Sequence, residues 1–220
     1  MKKISVLFLL LVLTLTGCQG LLLTVLTIAG KDKAEPKYDI LSKGNKRVAV
    51  VPRSGYSNTY ELQNAPREIA RQVNSLLDQN VQNKNLHVVE QSKVEAWLDD
   101  CDNDFESFAE VGRDKSIKAD FVIGLDIVGF QIRDPQNAHL LQGKCQVYVT
   151  AIDCATGKTV ATEDLLIVYP STQMPGGLAE ETRFRPKFVV MVAEQIAALF
   201  HHHDPKIINR IDADSIDWHR

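Results

Sequence analysis

Four groups of residues in this sequence have side chains able to do chemistry, and each has a plainer reading beside it. His201, His202, His203 and Asp204 offer imidazole and carboxylate donors for a transition metal. Successive residues of a helix point about 100° apart, so the four do not converge on one ion unless the backbone unwinds. A solvated helix end accounts for them, since polar and cationic groups suit the carboxyl-terminal dipole and Pro205 stops the helix. Ala155-Thr156-Gly157-Lys158-Thr159 has the tail of a phosphate-binding loop. Ile152, however, stands where that motif needs its first glycine, and β-rich sequence lies on both sides. Gly157 instead supplies the left-handed backbone of a hairpin turn. Asp99, Asp100, Asp102 and Asp104 form an acidic cluster, yet a calcium loop counted from Asp100 has Phe105 at its glycine position and Val111 at its glutamate position. Helix capping and a solvated loop explain the cluster. Cys101, Cys145 and Cys154 lack the His or Asn signature that accompanies a thiol nucleophile. Cys145 and Cys154 bound one extended segment, about 30 Å apart, so a disulfide in an oxidising compartment would join Cys101 to either of them. Unreacted thiols packed as small hydrophobes are the expected state. These groups point to no catalytic residue, no metal and no cofactor.

The elements that position them alternate β and α from Arg47 onward. RVAVVP is a short strand closed by Pro52, and Asn64 to Asn80 carries Ile69, Val73, Leu76 and Leu77 on one helical face, with Asn64 as cap and Pro66 in the first turn. Leu86 to Glu90 is a strand, and Ser92 with Glu95 predicts a capping box opening a helix over Lys93 to Asp99. Asp104 to Ile117 reads as a helix with Phe105, Phe108, Ala109 and Val111 near one face. Three β segments follow, over Asp120 to Arg133, Lys144 to Asp153 and Lys158 to Tyr169, leaving loops at Asp134 to Gly143 and Pro170 to Glu181. The last helix spans Thr182 to His202 with Phe188, Val192, Ile196 and Leu199 inward.

A fourth cysteine, Cys18, sits in a different setting. Lys2 and Lys3, an apolar run from Ile4 to Leu13 and then small residues make an export signal. Leu15-Thr16-Gly17-Cys18 resembles the lipobox of bacterial lipoproteins, which implies diacylation of the Cys18 sulfur, cleavage before it and acylation of the new amino terminus. Each buried CH₂ contributes about 0.8 kcal/mol and stable anchoring takes two chains or more, so a triacylated Cys18 holds the chain firmly on a membrane. Leu21 to Ala29 is also apolar, and the alternative is an uncleaved inner-membrane span. Ile4 to Ala29, at about 1.5 Å per residue, can cross a hydrocarbon core of about 30 Å with its lysines inside. Both readings put the rest of the chain outside the cytoplasm. Gln19 after the cysteine, by analogy with lipoprotein sorting, implies the outer membrane.

The 25 Lys+Arg against 28 Asp+Glu and a pI near 6.1 leave no basic stripe, which excludes a nucleic-acid partner of the usual kind. The expected organisation is a signal peptide over 1–17, an apolar anchored segment and charged spacer over 18–46, one periplasmic α/β domain over 47–203 and a tail over 204–220.

Four blocks, RVAVVP, VVEQSKVEAWL, VGRDKSIKADFVIGLDIVGF and VYVTAIDCATGKTVATE, resemble in order and spacing the signature blocks of the curli-assembly lipoprotein superfamily. Its relatives include the lipoprotein activators of penicillin-binding proteins and the amino-terminal domain of TolB. The resemblance implies an α/β (α+β) fold, a single sandwich with a mixed central sheet flanked by helices, anticodon-binding-domain-like, placed behind the amino-terminal signal and anchor. It also implies an envelope docking module without a catalytic site. The inserted hairpins that build a secretion pore in this superfamily need paired strands of about 9 to 11 residues each to cross a bilayer, and neither loop here is long enough to hold two of them.

An envelope protein is the expected partner, with self-association through sheet edges and the tail as the alternative. Arg183, Phe184 and Arg185 carry an Arg/Phe combination favoured at interfaces, although Phe184 fits a core plug equally well. The Met174–Gly177 stretch reads as a flexible loop. The tail from Ile207 to Trp218 either packs back on the domain or offers a docking strip that includes Trp218.

Overall fold

Val48, Ala49, Val50 and Val51 are all fully buried, which puts their strand at the centre of a sheet covered on both faces. In the computed structural model, which describes residues 33–42, 44–54, 60–81, 83–134 and 136–209, this strand is β1, Lys46–Ser54. The chain divides into two units, Met1–Ala34 and Glu35–Arg220, and the elements below belong to the second. β1 pairs in parallel with β2 (Leu86–Val88) on one side and β3 (Phe121–Asp134) on the other. β4 (Asn137–Asp153) and β5 (Thr159–Pro175) continue antiparallel, giving the order β2-β1-β3-β4-β5.

Helix α1 (Tyr60–Asn80) carries the chain from β1 to β2, while α2 (Gln91–Asp100) and α3 (Phe108–Arg113) carry it back past β1 to β3. These crossovers run in opposite directions across the sheet, so right-handed connections send their helices to opposite faces. α4 (Leu178–Ala197) then joins α1, and the short α5 (Lys206–Asn209) follows. On the first face Ile69, Val73 and Leu77 of α1 and Phe184, Phe188, Val192 and Ile196 of α4 pack on Val50, Ile123, Leu125, Val147 and Ile167. On the second face Val94 and Leu98 of α2 and Phe108 and Val111 of α3 pack on Ala49, Val51, Val122 and Ile152. Gly124 of β3 lies against the Phe108 ring, where any Cβ would collide with it. The mixed sheet with helices on both faces is the expected sandwich.

Several boundaries differ from the sequence reading. α1 starts at Tyr60, so Asn64 is an interior position rather than its cap, and Pro66 is buried well inside the helix. The Ser92/Glu95 capping box does not form. α2 starts at Gln91 behind Glu90, which gives no side-chain cap, and the Glu95 carboxylate instead accepts two hydrogen bonds from the Arg71 guanidinium, each 2.6 Å. The helix expected from Asp104 to Ile117 shortens to α3, capped by Ser107, whose Oγ accepts from the Glu110 N–H at 3.3 Å. Asp102 and Asn103, with φ of 54° and 59°, hold the preceding turn.

The loops expected at Asp134–Gly143 and Pro170–Glu181 are mostly strand. Leu141 pairs with Met174, and Gly143 with Tyr169, so β5 bulges between them. Gln142 fills that bulge: it is buried and its amide donates to the carbonyls of Pro170 at 3.1 Å and Ser171 at 3.3 Å. The bulge carbonyls keep partners, and the paired ribbon can continue past the irregularity. Met174 and Pro175 are therefore strand residues, and α4 opens earlier than expected, at Leu178, with the Gly177 N–H donating to Glu180 Oε2 at 2.8 Å.

The charged spacer is also partly folded. The Tyr38 N–H donates to the Leu199 carbonyl at 2.9 Å, and the Tyr38 hydroxyl lies 2.8 Å from the Thr162 carbonyl oxygen. Leu41 is fully buried, and Asn83 Nδ2 donates to the carbonyls of Leu41 at 3.0 Å and Gly44 at 2.8 Å. The folded domain thus begins before Arg47.

Candidate docking surface

β4 and β5 alternate in the usual way, with Cys145, Val147, Val149 and Ala151 and, opposite them, Ala161, Ile167 and Tyr169 turned toward α1 and α4. Lys144, Gln146, Tyr148 and Thr150 of β4 and Thr162, Asp164, Leu166 and Val168 of β5 therefore share the second face. α2 and α3 are short and reach only over β1, the start of β3 and Ile152. The rest of this face is bare: Leu166 is 69% exposed, Val160 43%, Val128 40% and Tyr148 39%. Val128 and Val160 are each the extra residue at a register shift. Cross-strand pairing sets the surface in rows, Thr150 beside Thr162, Tyr148 beside Asp164, Gln146 beside Leu166, and Lys144 beside Val168.

Where the bare half meets the covered half, Arg53 of β1 donates from Nε to Asp126 Oδ1 at 2.5 Å and from a terminal nitrogen to Oδ2 at 2.9 Å. The guanidinium sits 4.5 Å from the Phe108 ring centre and 5.4 Å from that of Phe105. This is the carboxyl end of the parallel β1/β3 pair, where open α/β sheets bind ligands. Both carboxylate oxygens face the guanidinium, so Asp126 is a structural partner rather than a free acid or base.

The residues with chemical potential fall elsewhere. A cleft of about 500 Å³ at the other end of β1 is lined by Lys46, Arg113, Lys118, Asp120 and Asp153, a mixture of both signs. Asp120 accepts from the Arg47 N–H at 2.8 Å. Asp153 accepts from the Thr156 N–H at 2.9 Å, and that bond holds its carboxyl below the ordinary range. Ala155–Thr159 is the β4–β5 turn, with Gly157 at φ 71°. Among the acidic cluster, Asp99 pairs with Arg67.

The helix ends before the histidines, and the solvated end expected there is not found. His201 and His203 are buried, at 7% and 5% exposure, and only His202 is open. His201 Nδ1 lies 2.9 Å from the His202 carbonyl and His203 Nδ1 lies 3.1 Å from that of His201. A carbonyl only accepts, so both Nδ1 atoms carry the proton. Among the described residues no group of three or more His, Cys, Asp or Glu side chains is arranged to hold a metal ion.

Of the contact residues named from sequence, Arg183 is exposed on α4. Phe184 is in the core, 1% exposed, with ring centres of Tyr169 at 6.3 Å and Phe188 at 5.9 Å, so it is the plug and not a surface anchor. Arg185 turns inward to Glu68 at 2.6 Å and lies 5.9 Å from the Phe130 ring centre. Cys18 and Trp218 lie outside the described residues. Cys101, Cys145 and Cys154 are free thiols. Burial pushes Cys145 up to about 12 and Cys154 up to about 11. The bare half-face went unnamed in the sequence reading, although adjacent Leu165 and Leu166 put apolar groups on both sides of β5.

Residues 1–19 match the prokaryotic membrane lipoprotein lipid attachment site, with Cys18 inside the match. The chain is a lipid-anchored lipoprotein of the cell envelope. Among the described residues no helix is long and apolar enough to cross a membrane. No curated protein matches the sequence. Solved structures similar to it include PelC from Paraburkholderia phytofirmans, a dodecamer, at 14% identity and TM-score 0.45, covering 76% of this chain and 95% of that one. Lipoprotein GNA1162 from Neisseria meningitidis matches at 15% identity and TM-score 0.44, covering 69% of this chain and 98% of that one. The LpoB carboxyl-terminal domain from Escherichia coli matches at 9% identity and TM-score 0.35, covering 59% and 87%.

Proposed function

We propose that this lipoprotein is a non-catalytic docking factor, tethered through Cys18 to the outer membrane, whose α/β domain binds another envelope protein and assists assembly or regulation. The observation that carries the reading is the bare half of the sheet, with Leu166 69% exposed between Tyr148 and Val168. Monomeric soluble domains seldom leave such an apolar patch without a partner. Membership of the curli-assembly lipoprotein superfamily belongs to the same proposal. Its sequence blocks fall at the β2–α2 junction, along β3 and at the β4–β5 turn, the positions that build the sheet. Arg183 is a second contact in this reading, because its side chain is open on α4.

The test is in-cell crosslinking of the full-length chain with Cys18→Ala alongside, followed by mass spectrometry. Capture of a defined envelope protein that depends on Cys18 supports a tethered docking factor. Equal capture by the Cys18→Ala protein would remove the tether from the account.

A further inference from the structure

The bare half-face has a charge pattern as well as an apolar centre. Lys144 stands at one end, beside Val168, and Asp164 stands beside Tyr148, two rows away across the Gln146–Leu166 row. At about 3.3 Å per residue, the Lys144 row and the Tyr148 row are separated by about 13 Å along β4. Neither Lys144 nor Asp164 forms an ion pair among the described residues. A two-fold axis laid over the Gln146–Leu166 row exchanges these two rows. It brings Lys144 of one copy within reach of Asp164 of the other, twice, with Leu166 of both copies at the middle. We propose that this surface is an isologous interface in which two copies of the chain pack sheet to sheet.

The inference rests on the docking reading for the surface alone, and puts a second copy on it in place of a different envelope protein. Four features of the surface fit it. It is an open pleated sheet face, and two such faces can stack about 10 Å apart as in a β-sandwich. Leu166 lies on the row that carries the axis, and Tyr148 and Val168 lie in the flanking rows beside the charges that the axis exchanges. The Arg53–Asp126 pair closes the covered side, leaving no uncompensated carboxylate at that border. Anchoring also confines all copies to one membrane plane, which raises their effective concentration and lets a small contact persist.

Analytical ultracentrifugation of the full-length lipidated protein in detergent micelles tests the interface through charge exchange. The wild type is expected to be dimeric. Lys144→Glu alone and Asp164→Lys alone each replace two attractions by two repulsions and should weaken the dimer about tenfold or more. The double variant restores opposite charges across the axis and should recover most of the loss, an outcome that mere misfolding of the single variants cannot produce. Leu166→Asp, at an exposed site, should abolish the dimer while leaving the thermal midpoint of the domain unchanged. A monomeric wild type, or a double variant as weak as the singles, overturns the self-association. Capture of a different envelope protein alone at position 166 would overturn it too, while leaving the docking reading intact.

Discussion

The Tyr38 hydroxyl lies 2.8 Å from Glu163 Oε2, across 125 residues of sequence. Lys37 Nζ donates to the same oxygen at 2.6 Å. Together with the Tyr38 N–H on Leu199 these bonds hold the end of the tether against β5 and the end of α4. The folded domain therefore takes in residues 37 to 41, which composition reads as spacer. Fully extended, residues 19 to 36 would reach about 60 Å, an upper bound on the distance between Cys18 and Lys37.

Tyr38→Phe removes the hydroxyl from both Glu163 and the Thr162 carbonyl. It should cost about 1 kcal/mol of stability and speed amide exchange at residues 37 to 41 while the core strands stay protected. Unchanged exchange in that segment would show that the hydroxyl does not hold it.

The same contact has a pH signature. The hydrogen bond from Lys37, with that from Tyr38 adding to it, holds the Glu163 carboxyl below its ordinary range. A depressed folded value means that the contribution is complete above the unfolded pKa of about 4.3 and is lost as pH falls through the lower folded value. Protection of residues 37 to 41, corrected for intrinsic rates, should be flat between pH 5 and 8 by this linkage and decline below about pH 4.

Gly124→Ala sets a methyl group into the Phe108 ring. Phe108 is held by Phe105, ring centres 5.6 Å apart, and by the Arg53 guanidinium, so it has little room to move. The expected cost is about 1–3 kcal/mol in denaturant unfolding, concentrated in the α2/α3 side of the sheet.

Thiol reactivity should separate the cysteines. Burial keeps Cys145 and Cys154 protonated at neutral pH, whereas Cys101 is only half-buried. Alkylation of native protein at pH 8 should modify Cys101 first, and all three should react after unfolding without reductant. A disulfide between Cys101 and either partner would appear as two protected thiols in that unfolded sample.

The alternation of short elements made the sheet and its two helical layers legible, because RVAVVP and the face of Ile69, Val73 and Leu77 have unmistakable periods. The turn at Gly157 was legible for the same local reason. What failed depended on partners distant in sequence. Glu95 looked like a capping residue until Arg71 claimed it, and Asn64 looked like a cap because nothing local marks Tyr60 as the start. The long ribbon of β4 and β5 was hidden because Gln142 repairs its bulge from the opposite strand. Phe184 was evenly placed between surface and core, and the stack with Tyr169 decided it. The bare half-face was invisible for a related reason: Leu166 reads as core in sequence, and only the short span of α2 and α3 leaves it uncovered.

The most direct test of the docking account is photo-crosslinking in cells from a probe at position 166 of the full-length lipoprotein, with a probe at Lys115, also exposed but off the bare face, as control. One or a few discrete adducts are expected from position 166, lost in the Cys18→Ala protein and absent from position 115. Equal, diffuse labelling from both positions would contradict it.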